Sequence, residues 1–338
     1  MTVQRYHNRQ TRRQAKESIE TIYGENLFGA ADPAPVGFLR GIDVYPHHVV
    51  VQKLTRAIQM AHGQRGRKLD FVQPRTYYEK LVLSKFFAPL PMPSPADKIG
   101  CSAHIPVDVR DKVKTIPTVW TGAEPITKVL LDSLDLPPGR YYAKSNNGCT
   151  TNYAFDVPIS PEQMQLLERY STGWLKRLHG ERSGEWYYSK IRAQNLIEPD
   201  MSPAVGEDLT DWKFHCCRGK VFAGQIDVER STNHHQLIYD RDFNYVPEEL
   251  FFFTKPGVEW PEHRMKMREV AEAISRPFEY ARIDLYLVGD QVYLGEITMA
   301  PIGGQRLPRS ETLDHWMGER WQGGIFDEII PDPIRVRA

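Results

Sequence analysis

The chain predicts an α+β protein, and three observations carry the prediction. Several short segments alternate apolar and polar residues, the period of a half-buried strand. Others repeat apolar residues at helical spacing, one of them behind a capping serine. The proportions, 338 residues of which 41% are hydrophobic and 25% charged, are those of a globular protein long enough for two or three packed units.

Charge excludes some functions at once. Lysine plus arginine equals aspartate plus glutamate at 43 each, which gives no basis for a nucleic-acid or membrane partner. No apolar run approaches the ~18 residues of a spanning helix. The leading MTVQRYHNRQTRRQAKES is basic but lacks the apolar core of a signal peptide, so a cytoplasmic protein with a polar N-terminal arm is expected. Cys101, Cys149, Cys216 and Cys217 form no C-x-x-C pair, and buried thiols are expected rather than a disulfide or zinc framework.

Taken in order, residues 1–50 hold few periodic segments, and Asp32 to Pro35 reads as a loop. Val50, Leu54, Ile58 and Ala61 mark one face of a helix. RTYYEKLVLSKFF, residues 75–87, predicts a second, amphipathic helix, followed by a proline-dense linker from Pro89 to Pro95. At Tyr141-Tyr-Ala-Lys-Ser-Asn-Asn-Gly148 a short strand runs into a loop of small and polar residues. A lysine there suits a phosphate cradle built from backbone N–H groups; a solvated strand-end lysine fits the same pattern.

Ser160 caps a helix with Pro161 in its first turn, and Met164, Leu167, Trp174, Leu175 and Leu178 are its core face. The aromatic run Glu185-Trp-Tyr-Tyr188 suits core packing or stacking on a base or sugar. Strands are expected at 193–198, 211–215 and 221–229. Lys213 lies between Trp212 and Phe214 and so faces the opposite side. His234-His235 has no further ligand spaced with it and reads as exposed. Residues 262–274 predict a helix with Met265, Val270 and Ala273 inward, and 307–321 a last helix.

The most informative stretch is YARIDLYLVGDQVYLGEITMAPIGG, residues 280–304, a hairpin turning at Gly289-Asp290. Asp284 and Glu296 sit within its otherwise apolar strands. Buried carboxylates demand a cation, and two on neighbouring strands suggest a shared hard divalent ion such as Mg²⁺. Strand-edge acids facing water are the alternative.

Arg282-Ile-Asp284, the hairpin, then Gly295-Glu-Ile-Thr298 and a Pro/Gly loop resemble the metal-binding end of the ATP-grasp ligases. Tyr78-Glu-Lys-Leu81 and the Trp186 run resemble elements of a narrower group, the TupA-like ATP-grasp proteins of cell-surface polymer biosynthesis. The resemblance implies that Asp284, Glu296 and Thr298 hold Mg²⁺; many relatives have Asn where Thr298 stands. It implies that Lys144 and Lys213 hold the ATP phosphates, with Asn146, Asn147 and Gly148 as lid. Ile197 and Glu198 would meet the adenine, and Arg282 would follow the moving phosphoryl group. Arg230 would serve a substrate carboxylate or the γ-phosphate, although a surface ion pair suits it equally. The implied organisation is residues 1–113 as a helical and loop-rich N-terminal part, then ATP-grasp subdomains at 114–198 and 199–330. The implied chemistry joins a small-molecule or peptide carboxylate to an amine through an acyl phosphate. A hydroxyl kinase and a non-catalytic nucleotide-binding scaffold on the same fold are the rivals.

Overall fold

The computed structural model describes residues 13, 52, 55–57, 59–61, 63, 66–71, 73–88, 90–177, 179–180, 183–202, 209–229 and 233–323. Two sheets organise them. The larger has seven strands in the order β1 (Val113–Thr115), β11 (Gln291–Thr298), β10 (Ala281–Val288), β6 (Asp211–Cys217), β7 (Lys220–Val228), β8 (His235–Tyr239) and β9 (Tyr245–Val246). Only the β1–β11 pair is parallel. The smaller is antiparallel, in the order β2 (Trp120–Gly122), β5 (Asn195–Pro199), β3 (Gly139–Ser145) and β4 (Asn152–Val157).

Among the described residues five continuous helices pack with the sheets: α1 (Tyr77–Phe87), α2 (Lys128–Ser133), α3 (Pro161–Lys176), α4 (Arg264–Ser275) and α5 (Glu311–Arg320). The mixture is the α+β class that the sequence predicts. α3 begins as read, with Ser160 accepting from Gln163 N and Pro161 in its first turn. It closes the core of the small sheet with Met164, Leu167 and Trp174, while Leu175 is half-buried and Leu178 lies outside the described residues.

One face of the large sheet is apolar. Trp212, Phe214, Ile226, Ile283, Leu285 and Ile297 are buried there with Met267, Val270, Ala271 and Ile274 of α4. This is the period-2 rule acting strand by strand: the residues between these positions point to the other face, and they are mostly polar.

Several sequence expectations change in three dimensions. α1 is not amphipathic: Glu79, Lys80, Ser84 and Lys85 are as buried as its apolar residues. The helix lies between α5 and the Pro301–Gly304 turn, and its lysines satisfy carbonyls there. Lys80 Nζ donates to Gly318 O and Trp321 O, at 2.9 and 2.8 Å. Lys85 Nζ donates to Ser183 O and Gly303 O, at 2.7 and 2.9 Å. Thr76 and Glu79 form a reciprocal capping box at its start. α4 starts at Arg264, so its phase turns Met265 outward, 53% exposed, and gives the inward place to Met267. The last helix occupies only Glu311–Arg320.

His234 and His235 are half-buried rather than exposed, each 3.4–3.5 Å from a carboxylate, Asp227 and Glu229 respectively. Cys101, Cys216 and Cys217 are buried free thiols, but Cys149 is exposed on its loop. Trp186 and Tyr187 belong to the core, with Trp186 Nε1 donating to Lys85 O at 3.0 Å. Residues 52, 55–57, 59–61 and 63 are helical where the 49–61 helix was expected. Val50, Leu54, Ile58, the loop from Asp32 and Arg230 lie outside the described residues.

Candidate functional site

The polar face of the large sheet gathers most of the predicted residues, and register does the gathering. Asp284 pairs with Lys213 on one side and Glu296 on the other, while Arg282 pairs with His215 and Thr298. On the next strand Asp227 pairs with Asp211. A bulge follows Asp284, opposite Gly295. A Cβ at Gly295 would come within 2.6 Å of the Tyr286 ring, so the bulge requires glycine.

Arg282 is the hub. Its Nε and Nη2 donate to the two carboxylate oxygens of Asp284 at 2.7 and 2.6 Å, and Nη2 reaches Thr298 Oγ1 at 3.1 Å and Glu296 Oε1 at 3.4 Å. Thr298 Oγ1 donates to Glu296 Oε1 at 3.0 Å. Lys213 Nζ lies 3.0 Å from both Asp211 and Asp227 and 3.9 Å from Asp284. Its side chain is only 4% exposed, so it is locked in a triad of acids rather than held at a solvent face.

The charges respond to this packing. Burial pushes the Asp284 carboxyl up to about 6, against the opposing pull of Arg282 and Lys213. For Glu296 burial acts in the same direction, but Lys98, then Arg282 and Lys213, outweigh it and hold the group at about 2. Burial works to lower Lys213, yet Asp211, Asp227 and Asp284 leave it raised. Lys98 is a site residue that the sequence reading missed; no periodicity or spacing distinguishes it. Asp211 and Asp227 were also missed, although their in-phase positions on strands that carry Lys213 and Gln225 were a usable signal.

A hydrogen-bonded chain ties this face to α1. Asp227 accepts from Gln225 Nε2 at 2.8 Å, so Gln225 Oε1 is free to accept from His215 Nε2 at 2.9 Å. His215 Nδ1 then accepts from Tyr280 OH at 2.8 Å, and Tyr280 accepts from Tyr77 OH at 2.9 Å. A carboxylate only accepts, and that fixes every donor in the chain.

The small sheet contributes the second part. Lys144 Nζ and Glu198 Oε2 lie 2.6 Å apart on adjacent strands. Both line a cavity of about 370 Å³ with Tyr142, Asn152 and Pro199, and Tyr286 of the large sheet closes its other side. Ile197 is not on that wall: its side chain is fully buried in the core of the small sheet, because it points to the face opposite Glu198. The loop after β3 is held by its own side chains. Asn146 Nδ2 donates to Asp97 and to Arg192 O, its Oδ1 accepts from Gln194 N, and Asn147 Oδ1 accepts from Ser145 Oγ. Lys98 Nζ donates to Gly148 O.

Among the described residues no group of three or more His, Cys, Asp or Glu side chains has metal-ligating geometry. The donor set nevertheless fits Mg²⁺. Asp284, Glu296 and Thr298 present three hard oxygens around one positive charge, the guanidinium of Arg282, and Mg²⁺ is commonly held by one or two carboxylates together with substrate phosphates.

Two sheets enclosing a cavity edged by Lys144, with a carboxylate hairpin on the larger, define the α+β architecture of an ATP-grasp protein. The family match is specific: the chain belongs to the TupA-like ATP-grasp family, whose profile matches residues 154–322, half of its length. No curated protein matches it. Among solved structures it is similar to the D-alanine–D-alanine ligase of Bacillus anthracis at 16% identity, covering 72% of this chain and 69% of that one, TM-score 0.40. It is similar to D-alanyl-alanine synthetase A of Vibrio cholerae O1 biovar eltor str. N16961 at 15% identity, 70% and 64% coverage and TM-score 0.41. A third is the ATP-grasp ligase PsnB with a phosphomimetic precursor variant, Mg and ADP, at 10% identity, 70% and 59% coverage and TM-score 0.38.

Proposed function

We propose that the protein is an ATP-dependent carboxylate–amine ligase working through an acyl phosphate. The observation that carries the reading is the convergence of Arg282, Asp284, Glu296 and Thr298 on one polar sheet face, in a member of the TupA-like ATP-grasp family. ATP would lie in the cavity between the sheets, with residues 114–198 and 199–330 as the two lobes. Lys144 would exchange Glu198 for a phosphate, and Glu198 with the neighbouring backbone would meet the adenine edge.

Asp284, Glu296 and Thr298 would hold Mg²⁺, which when bound supplies charge neutralisation on the phosphates. The chain's own contribution is positive charge aimed at a transferring phosphoryl group in a water-poor site. Arg282 is the group placed to give it, once its guanidinium leaves Asp284 for the anion. Lys213 has a different part: with its three acids it keeps the sheet face charged and rigid beneath Asp284. The substrates would be a small-molecule or peptide acid and an amine.

The test is ATP, Mg²⁺ and a panel of amino acids and peptides with hydroxylamine in place of the amine. A ligase yields ADP and hydroxamate in equal amounts, because the mixed anhydride is trapped. A stable phosphate ester without hydroxamate from any acid would make the protein a kinase, and absence of ADP with every acid would make it a scaffold; either overturns the ligase.

A further inference from the structure

His179 follows α3 on the segment that leads back to Trp186, and no step above uses it. Its Nε2 atom is buried and has no hydrogen-bond partner among the described residues. Buried polar atoms in folded proteins are nearly always paired, so this orphan beside the loop after β3 calls for a partner. The imidazole lies flat against the lid loop: a Cβ at Gly148 would overlap its Nε2, Cε1 and Cδ2 atoms. That contact gives Gly148 a reason to be glycine that is independent of backbone conformation.

The surroundings favour an anion. Lys98 Nζ donates to the carbonyl of the same Gly148, and the electrostatic fields of both Arg177 and Lys98 reach the ring. The imidazole also meets the Tyr188 ring at 5.9 Å, and the charges of Glu185, Glu296 and Arg282 reach that phenol. His179 thus packs against the loop after β3 and against Tyr188. Burial first, then Arg177 and Lys98, lower its pKa to about 4. The ring is therefore neutral near pH 7, with one N–H to give.

We propose that His179 is a phosphate ligand, its Nε2–H donating to a phosphoryl oxygen of the nucleotide held under the Asn146–Thr151 loop. The proposal rests on the reading of that loop as part of the ATP site. It adds a donor from outside the strands, on a segment that could report whether the loop is occupied.

Calorimetry with adenosine, ADP and the non-hydrolysable imido analogue of ATP tests it, on the full chain and on His179→Ala and His179→Gln. Gln places an amide N–H near the position of Nε2 and Ala places nothing. His179→Ala is expected to weaken the imido analogue by about tenfold or more, the worth of a hydrogen bond to a charged group, and to leave adenosine unchanged. His179→Gln should recover most of the loss. In the unmutated protein the His179 ring nitrogen resonance should move on adding ADP and stay still on adding adenosine, a measurement that does not depend on any variant folding. Equal affinity of His179→Ala and the unmutated protein for the analogue overturns the proposal, as does equal weakening of adenosine or an unmoved resonance. Failure of the unmutated protein to bind the analogue at all would instead remove the nucleotide reading, and this inference with it.

Discussion

Two ionic groups of the candidate site are built in opposite ways. On the small sheet Lys144 and Glu198 form a simple pair, with the lysine 22% exposed and open to the cavity. On the large sheet Lys213 is 4% exposed among Asp211, Asp227 and Asp284, and Arg282 is clamped on Asp284. The first can release its lysine to a ligand at little cost, because water and the cavity are at hand. The second cannot lose Lys213 without leaving uncompensated acids in a dry layer. A phosphate-binding role is thus easier to isolate by mutation on the small sheet than on the large one.

The largest expected effect breaks the buried group. Lys213→Met leaves three acids facing one another, and stability should fall by about 3–5 kcal/mol, read as a lowered denaturant midpoint with unchanged slope. A midpoint equal to that of the unmutated protein would mean the acids are solvated and the contrast between the sheets is false.

Glu296 sharpens the comparison from within the large sheet, since its side chain is 41% exposed. Glu296→Gln should keep the fold and lower Mg²⁺-dependent ATP turnover by about a hundredfold or more, as loss of a metal clamp does. Near-normal turnover would take Glu296 out of the site.

A smaller effect comes from His215, which burial, then Arg282, holds down at about 3 from its ordinary 6.5. A lowered pKa means the unfolded chain binds the proton first, so the stability it contributes is whole above pH 6.5 and is lost as pH falls toward 3. By pH 5 the loss should reach about 2 kcal/mol relative to pH 8. Urea melts of His215→Gln, which does not titrate, should lack that slope; an identical slope in both proteins would place the acid sensitivity elsewhere.

The smallest change in stability is expected on the small sheet. Lys144→Met should alter it by less than about 1 kcal/mol, as for partly exposed ion pairs. The same variant should weaken ATP and leave adenosine binding intact, measured by calorimetry. Weakening of both ligands alike would show that Lys144 acts through the shape of β3 and not through its charge.

The hairpin from Ala281 to Thr298 was legible except for its bulge, because alternation and a Gly-Asp turn are local signals. The same alternation placed Lys213 opposite Trp212 and Phe214, on the face where it lies. It did not say that this face is covered. α1 illustrates the limit from the other side: its polar residues suggested a solvated stripe, but α5 and the Pro301–Gly304 turn bury them. Ile197 and Glu198 were both assigned to the adenine by the family resemblance, yet neighbours on a strand point to opposite faces, and of these two side chains it is Glu198 that lines the cavity.

What the sequence alone determined is the strand that carries Lys144, the strands at 193–198, 211–215 and 221–229, the hairpin, the helix start at Ser160, and which residues share a face within each of those strands, since these depend on period and capping over a few residues. What only the tertiary structure decided is the lateral order β10–β6–β7 and its register. That order sets Asp227 beside Lys213, Arg282 across from His215 and Lys98 within reach of Glu296. The physical reason is that strand neighbours are chosen by the burial of whole faces and by loop closure over 14 to 70 residues or more, about which the local pattern of apolar and polar residues carries no information.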